Sequence, residues 1–168
     1  MKVLSKITDE YFGKTKRDED KVSFNTQDLN FIDMGGSVLW ADNDLEVVGD
    51  LHGLQSKFVF TYNFIRNIDF GDGLRLPTVE EICELEKVEN KLRSLGKVVL
   101  VNDFMDDKST LRFHCTNYDN KDYCYRLTSD INKQKDGVKC VNLYTSPFKV
   151  VTADMNNQYY EVRLVKDK

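Results

Sequence analysis

Histidine is nearly absent from this 168-residue chain: His52 and His114 are the only two, too few for the imidazole-rich cages that hold paired catalytic metals. Cysteine is scarce as well. Cys83, Cys115, Cys124 and Cys140 form no C-x-x-C pair and no Cys/His quartet, which excludes a zinc-ribbon type of structural site. No apolar run nears the ~20 residues that cross a bilayer, so no membrane insertion is expected. A basic excess is also lacking, since 24 Lys and Arg stand against 28 Asp and Glu for a net charge of −4. With a pI near 5.3, the chain has no broad positive field to grip a phosphate backbone, and nucleic acid is not an expected partner. Residues Met1–Glu10 meet charge too early for a secretory h-region. The expectation is a chain without a signal peptide and with reduced thiols.

What remains is an ordinary globular composition, 40% hydrophobic and 31% charged, in a length that suits one domain. Residues 1–28 read as an N-terminal arm or linker. Val3, Leu4, Ile7, Tyr11 and Phe12 recur at helical spacing there, and the charged stretch Lys14–Lys21 separates them from the rest. The arm reads either as an anchor to a partner or as a frayed terminus. Residues 29–168 read as the domain.

Within it, Phe31–Trp40 fits a strand broken at Gly35-Gly36, Asp42–Asp44 a polar turn, and Lys57–Ile65 a buried strand or a short helix. Pro77, the T-x-x-E box from Thr78 to Glu81, and the apolar series Val79, Ile82, Leu85, Val88 and Leu92 predict a helix over 78–94 that Gly96 stops. The pattern then turns to strands: Lys97–Phe104, a hairpin of Leu111–Cys115 with Tyr123–Thr128, then Val138–Tyr144, Phe148–Thr152 and Tyr159–Val165, with Ala153–Gln158 as a polar loop. Matching the apolar faces of the hairpin sets Leu111 opposite Leu127, Phe113 opposite Tyr125 and Cys115 opposite Tyr123, which leaves Cys115 and Cys124 unlinked. One principal helix among many short strands is an α+β arrangement.

One phrase points elsewhere. Val47-Val48-Gly49-Asp50-Leu51-His52-Gly53 closely resembles the first metal-binding motif of calcineurin-like metallophosphoesterases. That chemistry needs two cations held by a second Asp, an Asn-His pair and further histidines. The chain has no Gly-Asn-His, and Gly71-Asp72 is not followed by Asp-Arg-Gly, so a metallophosphoesterase fragment is the minor alternative and the segment reads as a polar turn.

The flanking motifs agree with each other better. Ile32-Asp33-Met34-Gly35-Gly36-Ser37-Val38-Leu39-Trp40-Ala41-Asp42-Asn43, then Gly49-Asp50 through Phe58-Val59-Phe60-Thr61-Tyr62, then Gly73-Leu74-Arg75-Leu76-Pro77-Thr78-Val79-Glu80-Glu81, and finally Tyr160-Glu161-Val162-Arg163-Leu164-Val165 follow one order and spacing. Together they resemble the Fibrobacter major paralogous domain family, of the C-type-lectin-like superfamily. Leu74 stands where the family has Trp, and the family's Tyr-Trp-Ser-Ser stretch is missing. The resemblance implies a C-type-lectin-like α+β fold with one principal helix and several short, mostly antiparallel strands. Formylglycine-generating enzymes share that fold class, but their paired active-site cysteines are not reproduced here. Calcium-dependent lectins of the class need a Pro-centred loop, and Pro77 and Pro147 are the only prolines. Asp106-Asp107 and Asp119-Asn120 read as solvated loops, with weak cation binding as the alternative.

The expectation is therefore a binding or assembly module and not an enzyme, with no cofactor and no metal. It is read as a bacteriophage virion component for decoration, fibre or adhesion, or else as an intracellular or surface bacterial binding protein of the same fold. Its arm would join a protein partner in a larger assembly, a homo-oligomer included. Two polar, aromatic-bearing loops, Tyr118, Asp119 and Asn120 in one and Asn156, Asn157, Gln158 and Tyr159 in the other, would meet a host surface glycan or protein.

Overall fold

The computed structural model describes residues 21–93, 100–101, 111–113, 116–118, 121–143, 145 and 147–168. These form a mixed α/β structure whose strands are mostly antiparallel. The first sheet starts as a hairpin of β2 (Phe31–Asp33) and β3 (Val38–Ala41), with Ile32 opposite Trp40. At the bend Gly35 has φ +86°, a conformation that strains a side chain. The Asp33 carboxylate fixes this bend by accepting the Gly35 N–H at 2.8 Å. On the other side of β3 runs the last strand, β12 (Val165–Asp167), with Val165 also opposite Trp40. The C-terminus is thus stitched to the opening hairpin.

The second sheet has the order β11-β10-β9, from β9 (Tyr125–Ile131), β10 (Gly137–Asn142) and β11 (Lys149–Asp154). Its two faces serve different cores. Cys140 pairs with Leu127 and Val151, and all three belong to the cluster around Phe60, Ile65, Val162 and Leu164. Val141, opposite Arg126, belongs instead to the cluster around Trp40, Ile82, Leu85 and Phe113. Burial on both faces explains why β10 carries apolar residues at the consecutive positions Cys140 and Val141. Trp40 is 1% exposed and meets Phe113 edge-on at 6.2 Å between ring centroids, the favoured geometry for two quadrupoles.

The long helix, preceded in the chain by the single turn α1 (Tyr62–Ile65), is α2 (Val79–Arg93); it begins one residue inside the predicted span, and the predicted end at 94 with its stop at Gly96 lies outside the described residues. Its capping box is made as read: Thr78 Oγ1 accepts the Glu81 N–H at 3.1 Å and Glu81 Oε2 accepts the Thr78 N–H at 2.8 Å. A further acceptor comes from a bulge. Between Leu127 and Ile131, strand β9 has three residues where β10 has only Lys139. The bulge carries Asp130 to the helix, where its carboxylate accepts the Val79 N–H at 2.6 Å.

Several sequence expectations are corrected. Among the described residues strand β9 pairs with β10 and not with Leu111–Phe113; His114 and Cys115 lie outside them. The reversal is made by β7 (Thr116–Tyr118) and β8 (Lys121–Tyr123), with Thr116 opposite Tyr123, while β6 (Arg112–Phe113) lies parallel to β5 (Leu100–Val101). Apolar alternation misled here because β9 is buried on both faces, so neither face marks a partner. Lys57–Ile65 resolves into α1, capped by Thr61, after an isolated bridge from Phe60 to Tyr160. Tyr159–Val165 is extended but becomes a strand only at Val165. Its earlier backbone groups serve several partners: Leu45 donates to Val162, Leu127 to Glu161 and Ala41 to Leu164. Strand β11 runs on through Ala153 and Asp154, which the sequence placed in the loop. Cys83, Cys124 and Cys140 are thiols. Cys115, Asp106, Asp107, most of Lys97–Phe104 and residues 1–20 of the arm lie outside the described residues.

Candidate binding surface

The last part of the segment read as an arm packs on the body. Strand β1 (Ser23–Phe24) pairs with β4 (Val47–Val48), and Asn25 locks the pair with both ends of its amide. Its Nδ2 donates to the Asp44 carbonyl at 3.1 Å and its Oδ1 accepts the Glu46 N–H at 2.9 Å. This holds the Phe24 ring edge-on to Phe60 at 5.8 Å and to Phe70 at 5.5 Å. Phe64, projecting from α1, stacks on Phe60 at 6.0 Å. The rings stand around a cavity of about 510 Å³, within the size range of ligand-binding clefts. Its lining combines the apolar Val22, Phe24, Phe64, Ile68 and Phe70 with the polar Lys21, Thr26, Asn67 and Asp69. The lining is pre-formed. Thr61 Oγ1 caps α1 by accepting the Phe64 N–H at 3.3 Å, and Asp69 Oδ1 accepts the Gly71 N–H at 2.9 Å beside Phe70.

The predicted loop residues are divided by the fold. Asn156, Asn157, Gln158 and Tyr159 follow β11 in one turn, whereas Tyr118 ends β7 in a separate two-stranded sheet. Asp119 and Asn120 lie outside the described residues. The Asn156–Tyr159 turn is braced from within. Asp154 accepts the N–H groups of Asn156 at 2.7 Å and Asn157 at 2.9 Å, and these two bonds draw its carboxyl below the usual range. Gln158 Oε1 accepts the Asp154 N–H at 2.6 Å, so this amide is spent on the turn. Asn156 is joined to Asn63 by a side-chain hydrogen bond, and Asn63 in turn donates its N–H to Met155 at 3.0 Å. Tyr159 is left 44% exposed at the end of the turn. Since Asn63 also accepts from Asn67 of the groove lining at 3.0 Å, α1 links the predicted loop to the aromatic groove.

Behind this surface lies a buried charge cluster that the sequence did not announce. Arg126 and Arg163 are both 0% exposed. Asp44 binds both, accepting from Arg126 Nε at 3.0 Å and Nη2 at 2.8 Å and from Arg163 Nε at 2.8 Å. Glu161 takes the other side of Arg126 at 2.6 Å, and Arg163 Nη1 donates to the Ala41 carbonyl at 3.0 Å. Both guanidinium groups lie on the Phe113 ring, at 5.3 and 4.4 Å from its centroid. Burial alone would raise the Asp44 pKa, but the charges and hydrogen bonds of Arg163 and Arg126 outweigh it and hold the carboxyl below its ordinary value. Glu161 goes the other way, because its own desolvation exceeds the pull of Arg126. The cluster's chemistry is cohesion: it ties the β3–β4 connection to β9 and to the C-terminal segment.

A smaller network seats α2. Arg75 forks onto Glu81 at 2.9 and 2.7 Å and reaches Asp167 at 2.8 Å. The Gly49–Gly53 phrase is a turn in which Asp50 Oδ1 accepts the His52 N–H at 2.9 Å. Among the described residues no group of three or more His, Cys, Asp or Glu is placed to hold a metal ion, and no helix is long and apolar enough to cross a membrane. The groove escaped the sequence reading because Phe24, Phe64 and Phe70 share no period. The only signal was an unusual density of aromatics between Phe58 and Phe70. Compared with known proteins, the chain matches no family model, no curated protein and no solved structure.

Proposed function

We propose that this chain is a non-catalytic binding or assembly module with a C-type-lectin-like fold, working as a component of a bacteriophage particle. The fold reading is supported by the Arg75–Glu81 segment leading into the one long helix, by the short antiparallel strands, and by the closing strand lying against the strand of Trp40. The functional reading rests on one observation: the concavity beside Phe24, Phe64 and Phe70 is lined largely by aliphatic and aromatic side chains, and its described lining holds no histidine or cysteine that could act as base or nucleophile. Such a site recognises apolar groups and fixes their orientation with a few polar atoms. A second contact face is supported by Tyr159, an exposed ring on a turn whose backbone is already braced. This face would meet the host glycan or protein.

The test is sedimentation of the natural protein. Lysate from producing cells is run on a density gradient, and the chain is expected to travel with particles. Phe70→Ser, which opens the groove wall, is expected to release it to the light fractions. A wild-type chain found only in the light fractions would overturn the virion reading and leave a cellular binding protein of the same fold.

A further inference from the structure

Strand β11 is the rim of its sheet: among the described residues β10 is its only strand neighbour. A rim strand carries a row of backbone groups with no ladder partner. Which residues of β11 face outward follows from the contacts of Gly137, the partner of Asp154. Gly137 accepts the Asn132 N–H at 2.9 Å and donates its own N–H to Asn132 Oδ1 at 3.1 Å, so both of its groups are turned away from β11. In an antiparallel ladder the partner of such a residue is turned away as well. Asp154 agrees, because its N–H goes to Gln158 Oε1. Counting back by two, Thr152 and Val150 also face outward. The chain closes this edge at both ends itself, with Gln158 on the Asp154 N–H and Glu86 Oε1 on the Phe148 N–H at 3.0 Å. Between them Val150 and Thr152 are exposed, and among the described residues nothing bonds to their outward N–H and C=O groups.

We propose that this edge pairs with a second copy of the chain, the two β11 strands running antiparallel about a two-fold axis at Val151. The inference goes beyond the aromatic groove and does not use it. Three observations point to a second copy. The first is register. An axis at Val151 sets Val150 of each copy opposite Thr152 of the other, and such a pair exchanges both of its hydrogen bonds. Every open donor then meets an open acceptor. An axis at Val150 or Thr152 would instead call on the N–H of Phe148 or Asp154, which is already spent. The second is charge. Lys149 begins the strand and Asp154 ends it. Antiparallel pairing brings the Lys149 end of one copy beside the Asp154 end of the other, whereas parallel pairing would align like charges. The third is side-chain type. Val150, Val151 and Thr152 are all β-branched, the kind that packs well across paired strands. A contact of this symmetry closes on itself as a dimer.

Sedimentation velocity of the purified chain tests this. From about 5 to about 500 µM, a range that covers weak association, the weight-average mass is expected to climb towards twice the 19.5 kDa of one chain. Val150→Lys/Thr152→Lys sets like charges opposite each other across the axis and is expected to hold the mass at that of one chain. Val150→Lys/Thr152→Glu sets opposite charges at the same places and is expected to restore the rise. Both positions are exposed, and this second variant shows whether the first fails through repulsion or through misfolding. A wild-type mass that stays at one chain throughout would overturn the proposal and leave the edge to a strand of another protein. An equal rise in all three forms would overturn it by placing the contact elsewhere. A rise lost in both variants would overturn the register. The assay contains no particles, so a failure here is distinguishable from a failure of the virion reading.

Discussion

Asp44→Asn removes one charge and almost no volume from the centre of the buried cluster. In the wild type three hydrogen bonds converge on this carboxylate, two from Arg126 and one from Arg163. After the change, both buried guanidinium groups lose this charged acceptor, while Glu161 remains on the Arg126 side. Three charge-assisted bonds at ~1.5–3 kcal/mol each set an upper bound of about 4.5–9 kcal/mol. Asparagine keeps one acceptor oxygen, so the cost of breaking a buried pair, about 3–5 kcal/mol, is the better figure. For a chain of this size that is a fall in Tm of about 6–20 °C, set against a total stability of about 5–15 kcal/mol. Urea denaturation at pH 7 measures it, with an unchanged m-value showing that the denatured state is the same. The pH dependence has a definite sign. The folded Asp44 pKa lies below its ordinary value, so its contribution is complete above the unfolded carboxylate pKa of about 3.9 and is lost as pH falls through the folded pKa. The gap between wild type and variant should therefore narrow in acid. In the Asp44→Asn background, Arg163→Met should cost less than in the wild type, because its main partner is already gone. A loss below about 1 kcal/mol at pH 7, with the fold intact, would refute the idea that this carboxylate holds the three segments together.

Two further substitutions probe separate parts of the fold. Burial pushes the pKa of the Cys140 thiol up to about 12 from its ordinary value near 9.0. The folded state therefore keeps its proton where the unfolded state loses it, and stability should fall as pH rises between those values by about 1.4 kcal/mol per pH unit. Cys140→Val should flatten that slope in denaturation curves at pH 9 and 10.5, and equal slopes would contradict it. Asp130→Ala removes the acceptor of the Val79 N–H but leaves the Thr78–Glu81 box whole. It should cost about 0.5–2 kcal/mol in urea denaturation, and no loss would mean that water replaces the carboxylate.

How far the sequence could be read depended on how local each signal was. The start of α2 was legible because Pro77, Thr78 and Glu81 lie within five residues and each has one physical role there. The bend at Gly35-Gly36 was legible for a similar reason, since glycine supplies its conformation locally, whereas the pairing of the two halves as β2 and β3 was not read. The strand partners of Tyr123–Thr128 were not, because alternation predicts which residues share a face but not which strand lies beside them. The bulge at Thr128–Asp130 compounds this: it shifts the register, and its purpose, presenting Asp130 to a helix 51 residues away in sequence, leaves no trace in the local pattern.

The candidate site shows the same division more sharply. By itself the sequence determined the amphipathic helix and its N-terminal cap, the bend at Gly35, the near-balanced charge and the scarcity of metal-binding side chains. All of these follow from composition or from neighbours within a turn. Only the tertiary structure decided that Asp44 would meet Arg126 and Arg163, 82 and 119 residues further along the chain. It alone brought Phe24, Phe64 and Phe70 around one cavity. The physical reason is that burial and charge pairing act between side chains brought together in space, and a side chain far along the chain becomes a neighbour only after the backbone has folded.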